Sequence, residues 1–183
     1  MNTSFISTSE VFRLVGAFTF VLAILTVLTS VLAYLPKHPD FSIFSTYLSD
    51  IGDTDVWPQI LFNTGTILAA PLRYIIIVLL VLQFREIGHL SGGLEITILA
   101  IGAVSTIGTV LMTAVPFSVA PAVHKSGIGL YFLGIVFLQT IVGIKELSMK
   151  QLPWSLPAWS FAVVACFLIF DFLDVPYYRK LKC

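Results

Sequence analysis

The sequence predicts an all-α, polytopic membrane protein: a transmembrane helix bundle of about five spans, with a short interfacial helix between spans one and two. Hydrophobic residues make up 57% of the chain and charged residues only 11%, and the mean hydropathy is +0.97. These values lie outside the range of soluble domains. The apolar runs also lack period-two alternation, so helices rather than barrel strands must satisfy their backbone polar groups in lipid.

Five apolar runs are long enough to cross the hydrocarbon core of a bilayer. Together they predict one transmembrane domain over residues 1–183, without a soluble domain. The first run is too long for the apolar core of a signal peptide, so we expect it to be retained. The spans are expected at about 11–35, 58–84, 93–115, 124–145 and 157–178.

The polar connection between the first two spans contains a short amphipathic pattern. Phe41, Phe44, Leu48 and Ile51 recur at helical spacing. This spacing predicts a helix lying flat in the membrane interface, and Gly52 is expected to end it in a left-handed conformation.

The loop charges predict the orientation. Face one denotes the side with the N-terminus and the loops at Arg85 and Lys145, and face two the side with the 36–57 connection, the 116–123 linker and the tail. Excluding the tail, the basic residues of face one are Arg13, Arg85, Lys145 and Lys150, and those of the face-two loops are Lys37 and Lys125. The positive-inside rule therefore places the N-terminus in the cytoplasm, although Arg179, Lys180 and Lys182 in the tail favour the opposite orientation.

Composition also excludes several partners and cofactors. The net charge is zero and no basic stretch is interleaved with aromatic residues, so we expect no nucleic-acid binding. The three histidines are too far apart for haem ligation between spans, and no motif names a cofactor. We expect membrane lipids as partners, together with homo-oligomers formed through small-residue helix faces such as Gly65 with Ala69 and Gly127 with Gly134.

Arg73 is a charged residue within span two. It lies about 15 residues, or roughly 22 Å, from face two, near the middle of the bilayer. Gln139 lies at a similar depth in span four, so we expect the two side chains to hydrogen-bond and to contribute to substrate binding. Two interpretations remain open: Arg73 snorkels toward face one, or it is buried and binds a lipid phosphate or an acidic side chain.

A second polar group gathers near face two. Asp50 lies in the connection, Asn63 just inside span two, His124 at the start of span four and Asp171 near the end of span five. We regard Asp50, His124 and Asp171 as catalytic candidates that could hold a metal ion or act as acid and base, with Asn63 orienting these residues and contributing to substrate binding. The alternative is structural: Asp50 caps a helix, His124 begins one, and Asp171 pairs with a basic residue of the tail.

Ordered motifs add a family resemblance. The segment Leu48-Ser49-Asp50-Ile51-Gly52, the Phe62-Asn63 pair, and Val115-Pro116 followed by His124 are similar to the pattern of the domain of unknown function 998 family. The first of these segments also resembles the Frag/DRAM/Sfk-like membrane proteins, which are linked to lipid and membrane trafficking. Either resemblance implies a multi-pass membrane protein and adds Ser49 to the substrate-binding candidates, but implies little chemistry.

Two hypotheses about function follow. The first is an integral membrane protein that binds or processes lipid at the polar site near face two. The second is a non-enzymatic scaffold or small transporter subunit, in which Arg73 and Gln139 stabilise the bundle or line a path. The sequence leaves open whether the protein is an enzyme.

Overall fold

All regular secondary structure is helical within the residues that the structure describes. The computed structural model describes residues 7–42, 48–54, 56–88 and 90–180, with side chains in the last helix up to Ile169. The polytopic helical fold class is confirmed, and each long helix begins and ends within four residues of the span predicted for it. The helices are α1 (Thr8–Tyr34), α2 (Leu48–Ile51), α3 (Val56–Gly88), α4 (Gly92–Ala114), α5 (Pro121–Ser148) and α6 (Ser155–Lys180).

Local sequence signals explain where the long helices begin. Ser7 caps α1, and the Glu10 side chain bonds back to the Ser7 amide at 2.9 Å, which forms a capping box. Ser91 caps α4 through the amide of Leu94. Pro121 begins α5, where its missing N–H leaves no intrahelical hydrogen bond unmade. These local signals determine the residues at which α1, α4 and α5 begin.

Four of the helices are long and apolar enough to cross a membrane: α1, α3, α4 and α5. In α6 the described apolar stretch, Ser155–Ile169, is shorter than a full span. Large apolar side chains cover the outer surface of α1, where Phe18 and Phe20 are exposed. Such a surface is stable only against lipid or other apolar partners.

The long helices pack in chain order. The helix pairs in contact are α1 with α3, α3 with α4, α4 with α5, and α5 with α6. Consecutive helices run antiparallel, so their ends alternate between the two faces. Near face one, α3, α4 and α5 enclose an apolar core, whose fully packed members are Ile77, Val81, Phe84, Ile98, Leu138, Val142 and Met149.

Hydrogen bonds tie the helix ends together at face one. Thr8 of α1 donates to Glu86 of α3 at 2.8 Å, and Arg85 of α3 donates to Glu95 of α4 at 2.8 Å. Buried Glu146 of α5 accepts a hydrogen bond from Ser160 of α6 at 2.8 Å. Each of these hydrogen bonds joins two helices that are neighbours in the bundle, so they stabilise the packing of the helices in chain order.

The connection between α1 and α3 differs from its prediction. Within the described residues, helix α2 covers Leu48–Ile51, and Phe41 lies in irregular structure before it; Phe44 lies outside the described residues. Gly52 is not left-handed either. It is needed for a close approach, since a Cβ there would lie 2.6 Å from Asn63 Oδ1. The close approach of the Asn63 side chain on α3, rather than a left-handed turn at the end of a helix, accounts for glycine at position 52.

The small-residue faces are occupied within the chain. A Cβ at Gly65 would lie 2.2 Å from Thr26 Oγ1 of α1, and a Cβ at Gly127 would lie 2.5 Å from the Met112 amide of α4. A Cβ at Gly134 would similarly lie 2.6 Å from the Ser105 Cβ. These faces therefore bring helices of one chain together, which is the role that small residues commonly have in membrane bundles.

Candidate functional site

At face two, the predicted polar residues form separate contacts to backbone carbonyls. Asn63 Nδ2 donates to the Gly52 carbonyl at 3.1 Å. His124 is 4% exposed, its Nδ1 lies 2.9 Å from the Val115 carbonyl, and its ring packs edge-to-face on Phe117. Each side chain joins a helix to a segment outside it.

The remaining face-two candidates lie on α2 and α6. Asp50 is exposed and Ser49 is half-buried, both in α2. Asp171 belongs to α6, and its side chain lies outside the described part of the chain. Within the described residues, no group of three or more metal-ligating side chains could hold a metal ion. The catalytic grouping of Asp50, His124 and Asp171 therefore stays a prediction.

Arg73 lies inside the bundle, where three helices meet. Its guanidinium donates to the Ser105 carbonyl at 3.3 Å and to the Thr109 hydroxyl, both on α4. Arg73 Cζ also lies 4.9 Å from the centroid of the Tyr131 ring on α5. Arg73 thus points between α4 and α5 and does not snorkel to face one, since its hydrogen bonds lie at mid-helix.

The Arg73 charge has no anionic partner among the described residues. Its two hydrogen-bond acceptors are neutral, and the third neighbour is an aromatic ring. The Nε atom is buried and makes no hydrogen bond. A charged side chain near the bilayer centre costs at least about 2.5 kcal/mol, and an unpaired buried donor adds to this cost. The group therefore has the donors and the charge to bind an anion.

The predicted pairing of Arg73 with Gln139 is wrong. Arg73 contacts Tyr131, whereas Gln139 lies two turns farther along α5, about 12 Å toward face one. Gln139 is half-buried beside the core residue Leu138. Counting residues from each predicted helix end gave equal depths, but helices can shift along their axes as they pack, which residue counts do not reveal.

Several residues around these sites were missed by the sequence reasoning. Ser105, Thr109 and Tyr131 surround Arg73, and the four-residue spacing of Ser105 and Thr109 was an available signal. Near face two, the Asp53 carboxylate accepts hydrogen bonds from the Ser118 amide, at 2.9 Å, and from the Ser118 hydroxyl. Nothing in the sequence pairs Asp53 with Ser118, because the contact depends on how two distant loops meet.

Comparisons with known proteins agree with this architecture. The searches of curated proteins and of solved structures gave no significant match. A protein-family model, described as the Frag1/DRAM/Sfk1/Cwh43P N-terminal domain, matches residues 11–177. The match supports the second of the two resemblances drawn from the motifs, and no finding supports the domain of unknown function 998 family specifically. Because the match covers nearly the whole chain, this integral membrane protein belongs to the Frag1/DRAM/Sfk1/Cwh43P N-terminal domain family.

Proposed function

We propose that the protein binds the phosphate-bearing headgroup of a membrane lipid at Arg73, inside the helix bundle. The observation that carries this proposal is an arginine between three spans that has neutral partners only and a buried, unpaired Nε. Arginine binds phosphate through two parallel, charge-assisted hydrogen bonds, which need two N–H groups on one edge of the guanidinium. The free Nε supplies one donor of such an edge, and Nη2, the other, would exchange one of its hydrogen bonds to Ser105 or Thr109 for the phosphate.

The residues that accept hydrogen bonds from Arg73 are themselves held by hydrogen bonds. Thr109 donates its own hydroxyl to the Ser105 carbonyl at 3.1 Å, and Ser105 donates to the Tyr131 carbonyl at 3.3 Å. The bond from Ser105 to Tyr131 joins α4 to α5, and the bond within α4 from Thr109 to Ser105 keeps the two acceptors of Arg73 in place. An anion that arrived would therefore meet a guanidinium already oriented, which lowers the entropic cost of binding.

A non-enzymatic scaffold is the second function that an observation favours. Asn63 and His124 bond to backbone carbonyls, and Asp53 bonds to Ser118. Residues so engaged stabilise a fold rather than carry out a reaction. The lipid proposal rests on Arg73 and needs no chemistry at face two, so the two functions predict different results for an Arg73 variant.

Thermal stability in detergent tests the proposal. A ligand that binds only the folded protein raises its unfolding temperature, so a lipid with an anionic phosphate headgroup should stabilise the wild-type protein. We expect Arg73→Gln to abolish this rise without lowering the unfolding temperature in lipid-free detergent, because glutamine removes an uncompensated charge. The matched control is Arg13→Gln, which removes an exposed arginine of α1.

The outcomes separate the two functions. Loss of the lipid effect in Arg73→Gln but not in Arg13→Gln supports lipid binding. An Arg73→Gln protein that is stabilised as strongly as the wild type contradicts it, and a large loss of stability without lipid favours the scaffold. Inorganic phosphate, tested alone, distinguishes a free anion from a lipid: stabilisation equal to that by the lipid would show that the acyl chains are not recognised.

A further inference from the structure

We infer that an anionic headgroup reaches Arg73 from face two only, along a line of hydroxyl side chains between α3 and α4. This line, the hydroxyl seam, consists of Thr66, Thr109 and Thr113. The inference rests on the function proposed for Arg73 and adds a direction of access. Three observations carry it: the depth of Arg73, the apolar packing on one side of it and the hydroxyl groups on the other.

The depth of Arg73 requires a path. Trp57 is 71% exposed at the face-two end of α3 and marks the membrane interface there, where exposed tryptophans concentrate. Arg73 is 16 residues farther along α3, or about 24 Å, and Arg85 at face one is about 18 Å beyond Arg73. A bilayer with its headgroups is about 40–45 Å thick. A phosphate in a resting leaflet is thus too far from Arg73, so the ligand must enter the bundle.

The face-one side of Arg73 is closed by apolar packing. One turn beyond Arg73, Ile77 contacts Gly102 of α4, where a Cβ would lie 2.9 Å from the Ile77 side chain. Beyond it, the buried core of α3, α4 and α5 is aliphatic and aromatic, and Val81 and Ile98 are fully packed. The fully packed members of this core are all apolar, with Tyr74 and Gln139 at its edge, so a headgroup moving through it would lose its hydration, which is costly.

The face-two side of Arg73 offers hydroxyl groups instead. Thr109 contacts Arg73, and Thr113 follows one turn farther toward face two on α4. Thr113 is only 4% exposed, yet its hydroxyl makes no hydrogen bond to any described residue. Buried hydroxyls in membrane helices usually bond a carbonyl one turn back, as Thr109 does with Ser105. Thr113 therefore keeps a donor available.

The register of α3 against α4 places Thr66 opposite Thr113. Ile77 contacts Gly102, and Arg73 contacts Thr109. Residue numbers therefore decrease along α3 toward face two while they increase along α4. Continuing this antiparallel register toward face two brings Thr113 level with about residue 67 of α3. Thr66 lies seven residues, or two turns, before Arg73 and so on the same face of α3 as Arg73, which contacts α4. The seam thus has hydroxyls on both helices.

Charged thiol reagents test the direction of access. In a background with Cys166→Ser and Cys183→Ser, single cysteines are introduced as Thr113→Cys and, as the matched buried control, Val81→Cys. Each protein, in liposomes, is exposed on both sides to a sulfonate-bearing or a trimethylammonium-bearing methanethiosulfonate reagent. We expect Thr113→Cys to react and Val81→Cys to stay unreactive until the protein is denatured.

The positive charge of Arg73 should change the rates at which the two reagents modify Thr113→Cys. We expect the sulfonate reagent to modify Thr113→Cys about tenfold faster than the cationic reagent, since a nearby positive charge attracts the anion. Adding Arg73→Gln should remove that preference. Equal reactivity of the two cysteines, or no reaction at Thr113→Cys in a protein that labels fully once denatured, would overturn the seam.

The seam and the proposed function can fail separately. A wild-type protein stabilised by lipid through Arg73, with an unreactive Thr113→Cys, keeps the lipid proposal and rejects the seam. A reactive Thr113→Cys with the expected charge preference, in a protein that lipid does not stabilise, supports an anion path to Arg73 and rejects lipid binding.

Discussion

At the scale of single residues, the structure separates polar side chains that hold the fold from one that remains available for binding. His124 and Asn63 each bond a backbone carbonyl and are at least half-buried. Arg73 has neutral acceptors and one buried donor without a partner. In the sequence all three are polar residues in or beside apolar runs. Their partners distinguish them, and the partners lie between 9 and 36 residues away.

His124→Ala and Asn63→Ala should therefore destabilise the protein. Each removes one hydrogen bond to a buried or half-buried carbonyl, and leaving such a group unpaired costs about 1–3 kcal/mol. Thermal unfolding in detergent measures the effect, with Lys125→Ala, an exposed neighbour of His124, as the control. Unchanged stability in both variants, together with a lost cellular phenotype, would instead return these residues to the list of site candidates.

At the scale of helices, glycines set how closely neighbours approach. A Cβ at Gly108 of α4 would lie 2.6 Å from the Tyr131 amide nitrogen and 2.8 Å from the Gly127 carbonyl oxygen of α5. Both atoms belong to the backbone and cannot move aside as a side chain could. The contact lies directly beside Tyr131, so close packing of α4 on α5 also positions the aromatic wall of the Arg73 site.

Gly108→Ala should destabilise the protein by about 1–3 kcal/mol, the usual cost of forcing extra atoms into a packed contact. It should also weaken the lipid-induced rise in unfolding temperature, because Tyr131 would be displaced. Gly129→Ala is the matched control: a Cβ there meets nothing within 4 Å, and alanine is the better helix former. Equal stability of the two variants would show that α4 and α5 are less closely packed than described.

The sequence predicted the helices better than their contacts. Run lengths, the Ser7 and Ser91 caps and Pro121 locate the helix ends, because each signal is local. The interfacial helix was predicted to include Phe41, which instead lies in irregular structure, where its amide bonds the His38 carbonyl in a turn. The depth of Arg73 was predictable, but its partners were not, because the axial shift of α5 against α3 depends on the packing of Tyr131 and the neighbouring helices.

At the scale of the whole molecule, orientation in the membrane is the remaining prediction. The basic residues of the face-one loops predict that the N-terminus is in the cytoplasm. Single cysteines at Lys150 and Asp40, which are exposed at opposite faces, should then be labelled from opposite sides of the membrane. In intact cells, an impermeant thiol reagent should label Asp40→Cys and spare Lys150→Cys. The reverse pattern would invert the molecule and place the entrance to the hydroxyl seam on the cytoplasmic side.

The central claim is that Arg73 binds a lipid phosphate within the bundle, and a distance between the two groups tests it most directly. Solid-state NMR dipolar recoupling between arginine side-chain ¹⁵N and lipid ³¹P, in bilayers whose phosphate comes from lipid alone, measures that distance. Arg73→Gln identifies the signal by its loss. A bidentate contact predicts a nitrogen-to-phosphorus distance of about 4 Å. A coupling that persists unchanged in Arg73→Gln, or no coupling in the wild-type protein, would contradict the account.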